Sequence, residues 1–321
     1  MQPKVSILCP FRNEIGELKE TLDSFVNQTY KNKEVILVDS DSTDGSMELA
    51  KEYAKKYKFI KYFNNPYKPG RWATEFYIDA INHSTGSIIY MADANGKLAP
   101  DYLKLTVRRI KNNIAGVVGK LRIWLSSSSI SKYRDVIWTL RYDNIKRMER
   151  EINEGRILPR TFSKEAYDRV GGFNPKAGWA IDTFFNKALL DHGYKLVYEP
   201  RAIWHHKWRD NPKKLIKYSY KFGKLNYDTA KKDRKQLYKI LYFLIPETAI
   251  ILSFFNINFL ILLLIHPAPL VISTLKLYFQ AKDHPNRKYI FLKPIISYMQ
   301  NIPYSLGFLK SFIKSIFKKR L

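Results

Sequence analysis

Ser87-Ile88-Ile89-Tyr90-Met91-Ala92-Asp93-Ala94-Asn95 decides how the rest of the chain reads. Ile88 to Ala92 is a short apolar run, with Gly86 before it and Asn95-Gly96 after it. A run of that length between such stops predicts a buried strand in a mostly parallel sheet. Asp93 then falls at the carboxyl end of the strand, the edge where open α/β sheets bind ligands. An Asp there, with a second oxygen donor at Asn95, suits a hard divalent cation. The same residues also suit a solvated turn.

The stretches on either side follow one pattern. Val5 to Cys9 reads as a first strand, with Pro10-Phe11-Arg12-Asn13-Glu14 as the loop after it. Leu18, Leu22, Phe25 and Val26 recur at helical spacing. Val35 to Val38 is a second strand that closes on Asp39-Ser40-Asp41-Ser42-Thr43-Asp44-Gly45. A helix through Leu49, Tyr53 and Tyr57 follows, then a strand over Phe59 to Phe63. Strand, polar loop and helix in repetition predict βαβ units and a parallel sheet. Asp39, Asp41, Asp44 and Asp93 should gather at one sheet edge. Asp41 and Asp44 read as turn and helix-cap residues rather than ligands. No Walker lysine motif and no G-x-G-x-x-G follows the first strand, which argues against two common nucleotide folds.

Composition narrows the partners. The 321 residues carry a formal net charge of +26, which calls for an anionic partner: nucleic acid, anionic lipid or a phosphorylated substrate. The basic residues flank an apolar C-terminal third, which favours a membrane surface over nucleic acid. One cysteine, Cys9, rules out an internal disulfide framework and fits a reducing compartment. The opening residues read as a strand and not as a secretory signal, since their apolar stretch is too short.

Taken in order, V-S-I-L-C-P-F-R-N-E, V-I-L-V-D-S-D-S-T-D-G-S and G-S-I-I-Y-M-A-D-A-N resemble the nucleotide-sugar domain of family 2 glycosyltransferases. The likeness continues through V-G-G-F-N-P (170 to 175), W-A-I-D-T-F-F (179 to 185) and Y-E-P-R-A-I-W-H-H (198 to 206). It covers roughly the first 225 residues, and it extends more loosely to the succinoglycan-type branch. The resemblance implies an α/β GT-A fold, a Rossmann-like domain with a mixed, mostly parallel sheet. It also implies inverting, metal-dependent sugar transfer from a nucleotide-diphosphate sugar. It places Pro10, Arg12, Glu14, Asp39, Arg71 and Asp93 at the donor, with Lys68 on the same side. It makes Asp182 the catalytic base and gives an Mg or Mn ion to Asp93, Asn95 and His205, with the adjacent His206 left open. Ser40, Asn95 and Ile181 stand where the family usually has acids. A carboxylate at hydrogen-bond reach suits the base role, because the acceptor hydroxyl must lose its proton as it attacks.

The rest of the chain divides by composition. Residues 226–240 read as a basic linker, 241–281 as a membrane hairpin and 282–321 as a basic amphipathic tail. The apolar legs run from Ile240 to Phe255 and from Phe259 to Phe279, broken at Pro246-Glu247 and at His266-Pro267-Ala268-Pro269. Basic outer flanks predict that both ends lie in the cytoplasm, and a single pass through Thr248 to Ile265 is the alternative. Leu306, Leu309, Phe312, Ile313, Ile316 and Phe317, interleaved with lysines, predict a helix lying on an anionic leaflet. The expected protein is therefore a glycosyltransferase on the cytoplasmic side of the cell membrane, followed by C-terminal membrane helices. It would act on a lipid-linked or membrane-proximal glycan acceptor and bind no nucleic acid. A non-catalytic membrane scaffold that keeps a degenerate nucleotide-sugar fold is the other reading.

Overall fold

The computed structural model describes residues 2–66, 73–124, 126–175, 181–208, 210–225, 227, 234–243, 245 and 266–318. The chain forms two compact units. The first joins Met1–Trp124 to Arg141–Lys207, and the second joins Leu125–Leu140 to Trp208–Leu321.

The first unit begins with β1 (Val5–Phe11), α1 (Ile15–Val26), β2 (Lys33–Asp39), α2 (Ser46–Lys56), β3 (Ile60–Asn64), α3 (Ala73–Asn82) and β4 (Ile88–Met91). Val35 to Val38 is buried on both faces, as a run of β-branched and aliphatic residues inside a covered sheet must be. α1 buries Leu18, Leu22 and Phe25, spaced to form one stripe. β1 pairs in parallel with both β2 and β4, and β2 with β3. The strands run slightly longer than the apolar runs predict: β1 continues through Pro10 to Phe11, and β2 takes in Asp39.

The chain continues through β5 (Gly96–Leu98), α4 (Tyr102–Val107), β6 (Ile114–Ile123), α5 (Ser129–Tyr142), α6 (Ile145–Asn153), β7 (Thr161–Ser163), α7 (Lys164–Arg169), α8 (Ile181–Asp191) and β8 (Lys195–His206). The eight strands form one sheet in the order β3-β2-β1-β4-β7-β6-β8-β5. β7 is antiparallel to both β4 and β6, whereas β8 is parallel to β6 and antiparallel to β5. The sheet is therefore mixed.

α8 is fixed by an aromatic cluster. Phe185 packs edge-on against Phe162 and Phe173, with ring centroids 5.1 and 4.8 Å apart. Asn186 donates its amide hydrogens to the carbonyls of Gly155 (3.1 Å) and Ile157 (2.8 Å). Gly171 and Gly172 both take positive φ, +82° and +72°, in the turn that brings Phe173 into the cluster.

In the second unit α9 (Pro212–Leu225) lies against the helix Lys293–Lys318. A Cβ on Gly223 would overlap the Tyr304 carbonyl, and one on Gly307 would overlap that of Tyr220. The two glycines are thus what let the backbones approach. Ile130 packs with Leu215 and Ile296, and Val136 with Ala281 and Ile290.

The expected boundary fell after residue 225; in the structure the first unit ends at Lys207, because α9 and all but the last two residues of α5 pack with the C-terminal helices. The stretch 282–321 is not a separate tail either, since Phe308 is buried against Ile240. Among the described residues no helix is long and apolar enough to cross a membrane. The core of the expected hairpin, 246–265, lies outside the described residues. At its far end the prolines start a helix, Ala268–Gln280, instead of interrupting one. His266 there is a bonded residue: Nδ1 meets the Tyr298 hydroxyl and Nε2 the Tyr242 carbonyl, both at 2.7 Å.

Glu34 ties the amino ends of β1 and β2 together. Its side chain is 2% exposed and accepts from the Ser6 hydroxyl (2.7 Å), the Thr85 N–H (2.6 Å) and the ammonium groups of Lys4 and Lys61 (3.0 Å each). Burial opposes the charged form, but these donors outweigh it and draw the carboxyl from 4.5 down to about 2. Because the folded value is depressed, the stabilisation is complete above the unfolded value and is lost as pH falls towards 2. Glu34→Gln is expected to cost about 2 kcal/mol at neutral pH, after allowance for the exposed lysine partners, and nothing near pH 2. Melting curves of both proteins across pH 2 to 7 check this; parallel curves would contradict it.

Candidate active site

The strand order 3-2-1-4 puts the carboxyl ends of β1, β2 and β4 on one edge. The loops after β1 and β2 are stitched together there. The Asn13 N–H donates to Ser42 Oγ (3.0 Å), the Thr43 N–H to Asn13 Oδ1 (2.8 Å), the Glu14 N–H to Ser46 Oγ (2.9 Å) and the Ile15 N–H to Asp44 Oδ2 (3.1 Å). Asp44 also accepts from the Ser46 N–H and hydroxyl. It therefore braces the starts of two helices, the cap role expected of it. Asp39 is fully buried and accepts from Ser42 N–H (3.1 Å), Ser42 Oγ (2.6 Å) and the Tyr62 hydroxyl (3.2 Å). After β1 Arg12 is exposed and Glu14 half-buried, and Pro10 near the end of the strand is half-buried too.

Asp93 leaves β4 into a turn held by two flanking groups. The Thr21 hydroxyl donates to the Ala94 carbonyl (2.9 Å) and the Tyr77 hydroxyl to the Ala92 carbonyl (2.8 Å). The Asp93 carboxylate is crowded with donors. Arg160 holds it with both arms of its guanidinium, Nη1 to Oδ1 at 3.1 Å and Nη2 to Oδ2 at 2.7 Å. The Tyr77 hydroxyl donates to Oδ1 at 3.1 Å, and His206 Nε2 lies 3.3 Å from Oδ2. Burial opposes the charged carboxylate, but Arg160 and His206 more than offset it and hold Asp93 well below the usual carboxylate range.

Arg160 is the residue that the sequence did not disclose. Its Nη1 also donates to the Met91 carbonyl (3.1 Å), and its guanidinium lies over the Trp204 ring, 4.4 Å from the centroid. β7 delivers it. The antiparallel register Tyr90↔Thr161 puts residue 160 opposite Met91, the last residue of β4, where the Met91 N–H donates to the Arg160 carbonyl (2.8 Å).

The same logic separates the two histidines. β5 pairs Gly96 with His206 and Lys97 with His205. His206 therefore comes to Asp93, and His205, the ligand expected from the sequence, points to the other face of the strand. Asn95 donates its side-chain amide to the Lys207 carbonyl at 3.3 Å, which leaves Oδ1 as its oxygen donor. The Asp93 carboxylate and the His206 imidazole meet here, and with the amide oxygen of Asn95 in the same turn the donor types suit Mg or Mn. Among the described residues no group of three His, Cys, Asp or Glu side chains could hold a metal ion. Arg71, Lys68 and the Asp182 side chain lie outside the described residues; the Asp182 backbone is in the first turn of α8.

The family model described as glycosyl transferase family 2 matches residues 6–171, just over half of the chain. A probable glycosyltransferase of Bacillus subtilis, YdaM, is 27% identical over 65% of this chain and 51% of its own length. The chain thus spans about half of that relative. A Methanococcus voltae protein is 26% identical over 97% of both chains. It is named dolichyl N-acetyl-alpha-D-glucosaminyl phosphate 3-beta-D-2,3-diacetamido-2,3-dideoxy-beta-D-glucuronosyltransferase. Among solved structures, the mannosyltransferase PcManGT of Pyrobaculum calidifontis, in complex with GDP-Man and Mn2+, superposes with a TM-score of 0.56 at 19% identity. The superposition covers 99% of this chain and 88% of that one. It supports the fold.

The Asp93–Arg160 pair is half-buried and bidentate, so its two side chains should behave as one energetic unit. Asp93→Ala and Arg160→Met are each expected to destabilise the protein, and the double variant to lose much less than their sum. The coupling should be roughly 1–3 kcal/mol, the range for one charge-assisted network. Chemical denaturation of the four proteins measures it; additive losses would contradict the pair.

Proposed function

This chain belongs to glycosyl transferase family 2, and from that premise we propose that it transfers a sugar, with inversion, from a nucleotide-diphosphate sugar to a lipid-linked or membrane-proximal glycan acceptor. The observation that carries the reading is the meeting of Asp93 and His206 at the carboxyl edge of the sheet, beside the stitched loops of β1 and β2. Ligands of open α/β sheets bind there. The base and sugar of the donor would lie along the strand ends and loops that carry Pro10, Arg12, Glu14 and Asp39. A divalent cation held by Asp93, His206 and Asn95 would supply charge for the leaving diphosphate. Asp182 is the proposed base. It lies at the first turn of a helix anchored by Phe185 and Asn186, three and four residues on, so the scaffold behind it is rigid.

The membrane-side acceptor is supported by the second unit. Ile272 and Phe279 on Ala268–Gln280 are 67% and 69% exposed, and Val271 and Leu275 share that face. Leu306, Leu309, Phe312, Ile313 and Ile316 are also exposed, with Lys310 and Lys314 among them. An apolar stripe edged by lysines suits an anionic bilayer surface. The name of the Methanococcus voltae relative, with its dolichyl phosphate, points to the same class of acceptor. We place the protein at the cytoplasmic face of the cell membrane.

Three measurements test these readings. A screen of nucleotide-sugars with Mn2+ should find a donor that raises the melting temperature and is turned over. Asp182→Asn should keep that donor binding and lose roughly 10²–10⁴-fold in transfer, the usual worth of a positioned base. A variant that keeps more than about a tenth of the parent rate would reject Asp182 as base. The full chain should co-sediment with vesicles containing anionic lipid, and Lys310→Glu with Lys314→Glu should weaken that. Equal recovery with neutral vesicles would reject the electrostatic part.

A further inference from the structure

Arg160 holds Asp93, the residue on which the donor site depends. An ionised carboxylate offers about four lone-pair positions. Around Asp93 three groups crowd them: Arg160 through Nη1 and Nη2, His206 through Nε2 at Oδ2, and the Tyr77 hydroxyl at Oδ1, whose one hydrogen is shared with the Ala92 carbonyl. A cation can reach the carboxylate only after one of these lets go. The charge balance points the same way. Position 95 is an amide, so Asp93 is the one acid of the D-A-N triplet, and the guanidinium cancels it.

We propose that Arg160 is a resident competitor for the cation. With no donor bound, its guanidinium occupies and neutralises Asp93, and a divalent cation is held off. The cation then enters together with a nucleoside diphosphate, whose negative charge draws the guanidinium away. The proposal rests on the reading of Asp93 as a cation ligand in a nucleotide-sugar site. Arg160 is built for such an exchange. The Trp204 ring under it and the Met91 carbonyl beside it keep the guanidinium in the site after it releases Asp93. Its remaining N–H groups then face a ligand whose oxygens match a planar fork. Cation and diphosphate are thereby coupled, each improving the affinity of the other.

The test is Mn2+ binding to the full chain without nucleotide, followed by the electron paramagnetic resonance of the free ion. Arg160→Gln should bind Mn2+ about tenfold more tightly than the parent, the ratio that one charge-assisted pair is worth. With a nucleoside diphosphate present the gap between the two proteins should narrow. A folded Arg160→Gln with the parent's donor-free affinity overturns the proposal. Should that variant fail to fold, Arg160→Lys carries the test. A lysine keeps the charge but cannot hold both oxygens, so a gain of roughly threefold is expected. The parent's affinity in that variant overturns the proposal as well. Melting curves of the parent with Mn2+ and each of UDP, GDP, CDP and dTDP separate the donor site from the role of Arg160. A parent stabilised by none of them overturns the donor-site reading, and the proposal with it. A parent that is stabilised, alongside arginine variants with unchanged Mn2+ affinity, overturns the proposal alone.

Discussion

β4 pairs with neighbours of opposite direction, and the candidate site depends on that constraint. Its parallel pairing with β1 brings the carboxyl ends of β1, β2 and β4 to one edge. Its antiparallel pairing with β7 brings the amino end of β7 to the same edge. Asp93 and Arg160 are 67 residues apart in sequence, yet each stands just outside one of these paired strands. A slip of one residue in the β4–β7 register would turn Arg160 to the other face of the sheet and leave Asp93 without its counter-charge. The aromatic cluster behind β7 makes that slip costly, since Phe162 would leave Tyr167, Phe173 and Phe185. The same cluster anchors α8, so one packing unit positions both Arg160 and the helix that carries Asp182.

The electrostatics of the edge follow from partial burial. The side chains of Asp93 and Arg160 are 23% and 21% exposed, enough shelter for each to need the other and enough access for a ligand to reach both. A fully buried pair would resist exchange because either charge, left alone, is costly. A fully exposed pair would be worth little and would hold nothing in place. The remaining surface is strongly basic, with a net charge of +26. A diphosphate-bearing donor and an anionic bilayer are both drawn to such a surface.

How much of this was legible in the sequence depends on how local the cause is. β1, β2 and β4 are apolar runs bounded by turn residues, and they were readable together with the edge to which they deliver Asp93. The cap role of Asp44 was readable because its partners, Ser46 and Ile15, lie at the starts of two visible helices. Arg160 was not readable. β7 has three residues, too few to show a period, and the partner of Arg160 is set by a non-local register. The two histidines show the limit clearly. Alternation says that His205 and His206 face opposite ways. Which of them faces Asp93 is decided by the pairing of Gly96 with His206, across more than a hundred residues. The boundary at Lys207 was hidden for a similar reason. In α5 Ile130 and Val136 pack with residues more than eighty positions away.

Asn95 joins these threads. From sequence it is a weakened second ligand, an amide where the resemblance leads one to expect an acid. Its local bonds give it a further role. The Lys207 N–H donates to the Asn95 carbonyl at 3.0 Å, and the Asn95 amide donates back to the Lys207 carbonyl at 3.3 Å. Together they close the last register position of β8 against the D-A-N turn, one residue beyond His206. A carboxylate at position 95 has no hydrogen to donate and would set a negative charge against that carbonyl. The amide thus secures the strand end that presents His206, and in doing so it leaves the D-A-N turn with a single negative charge. One guanidinium is then enough to neutralise it. The departure from two acids and the presence of Arg160 are, in physical terms, two halves of the same arrangement.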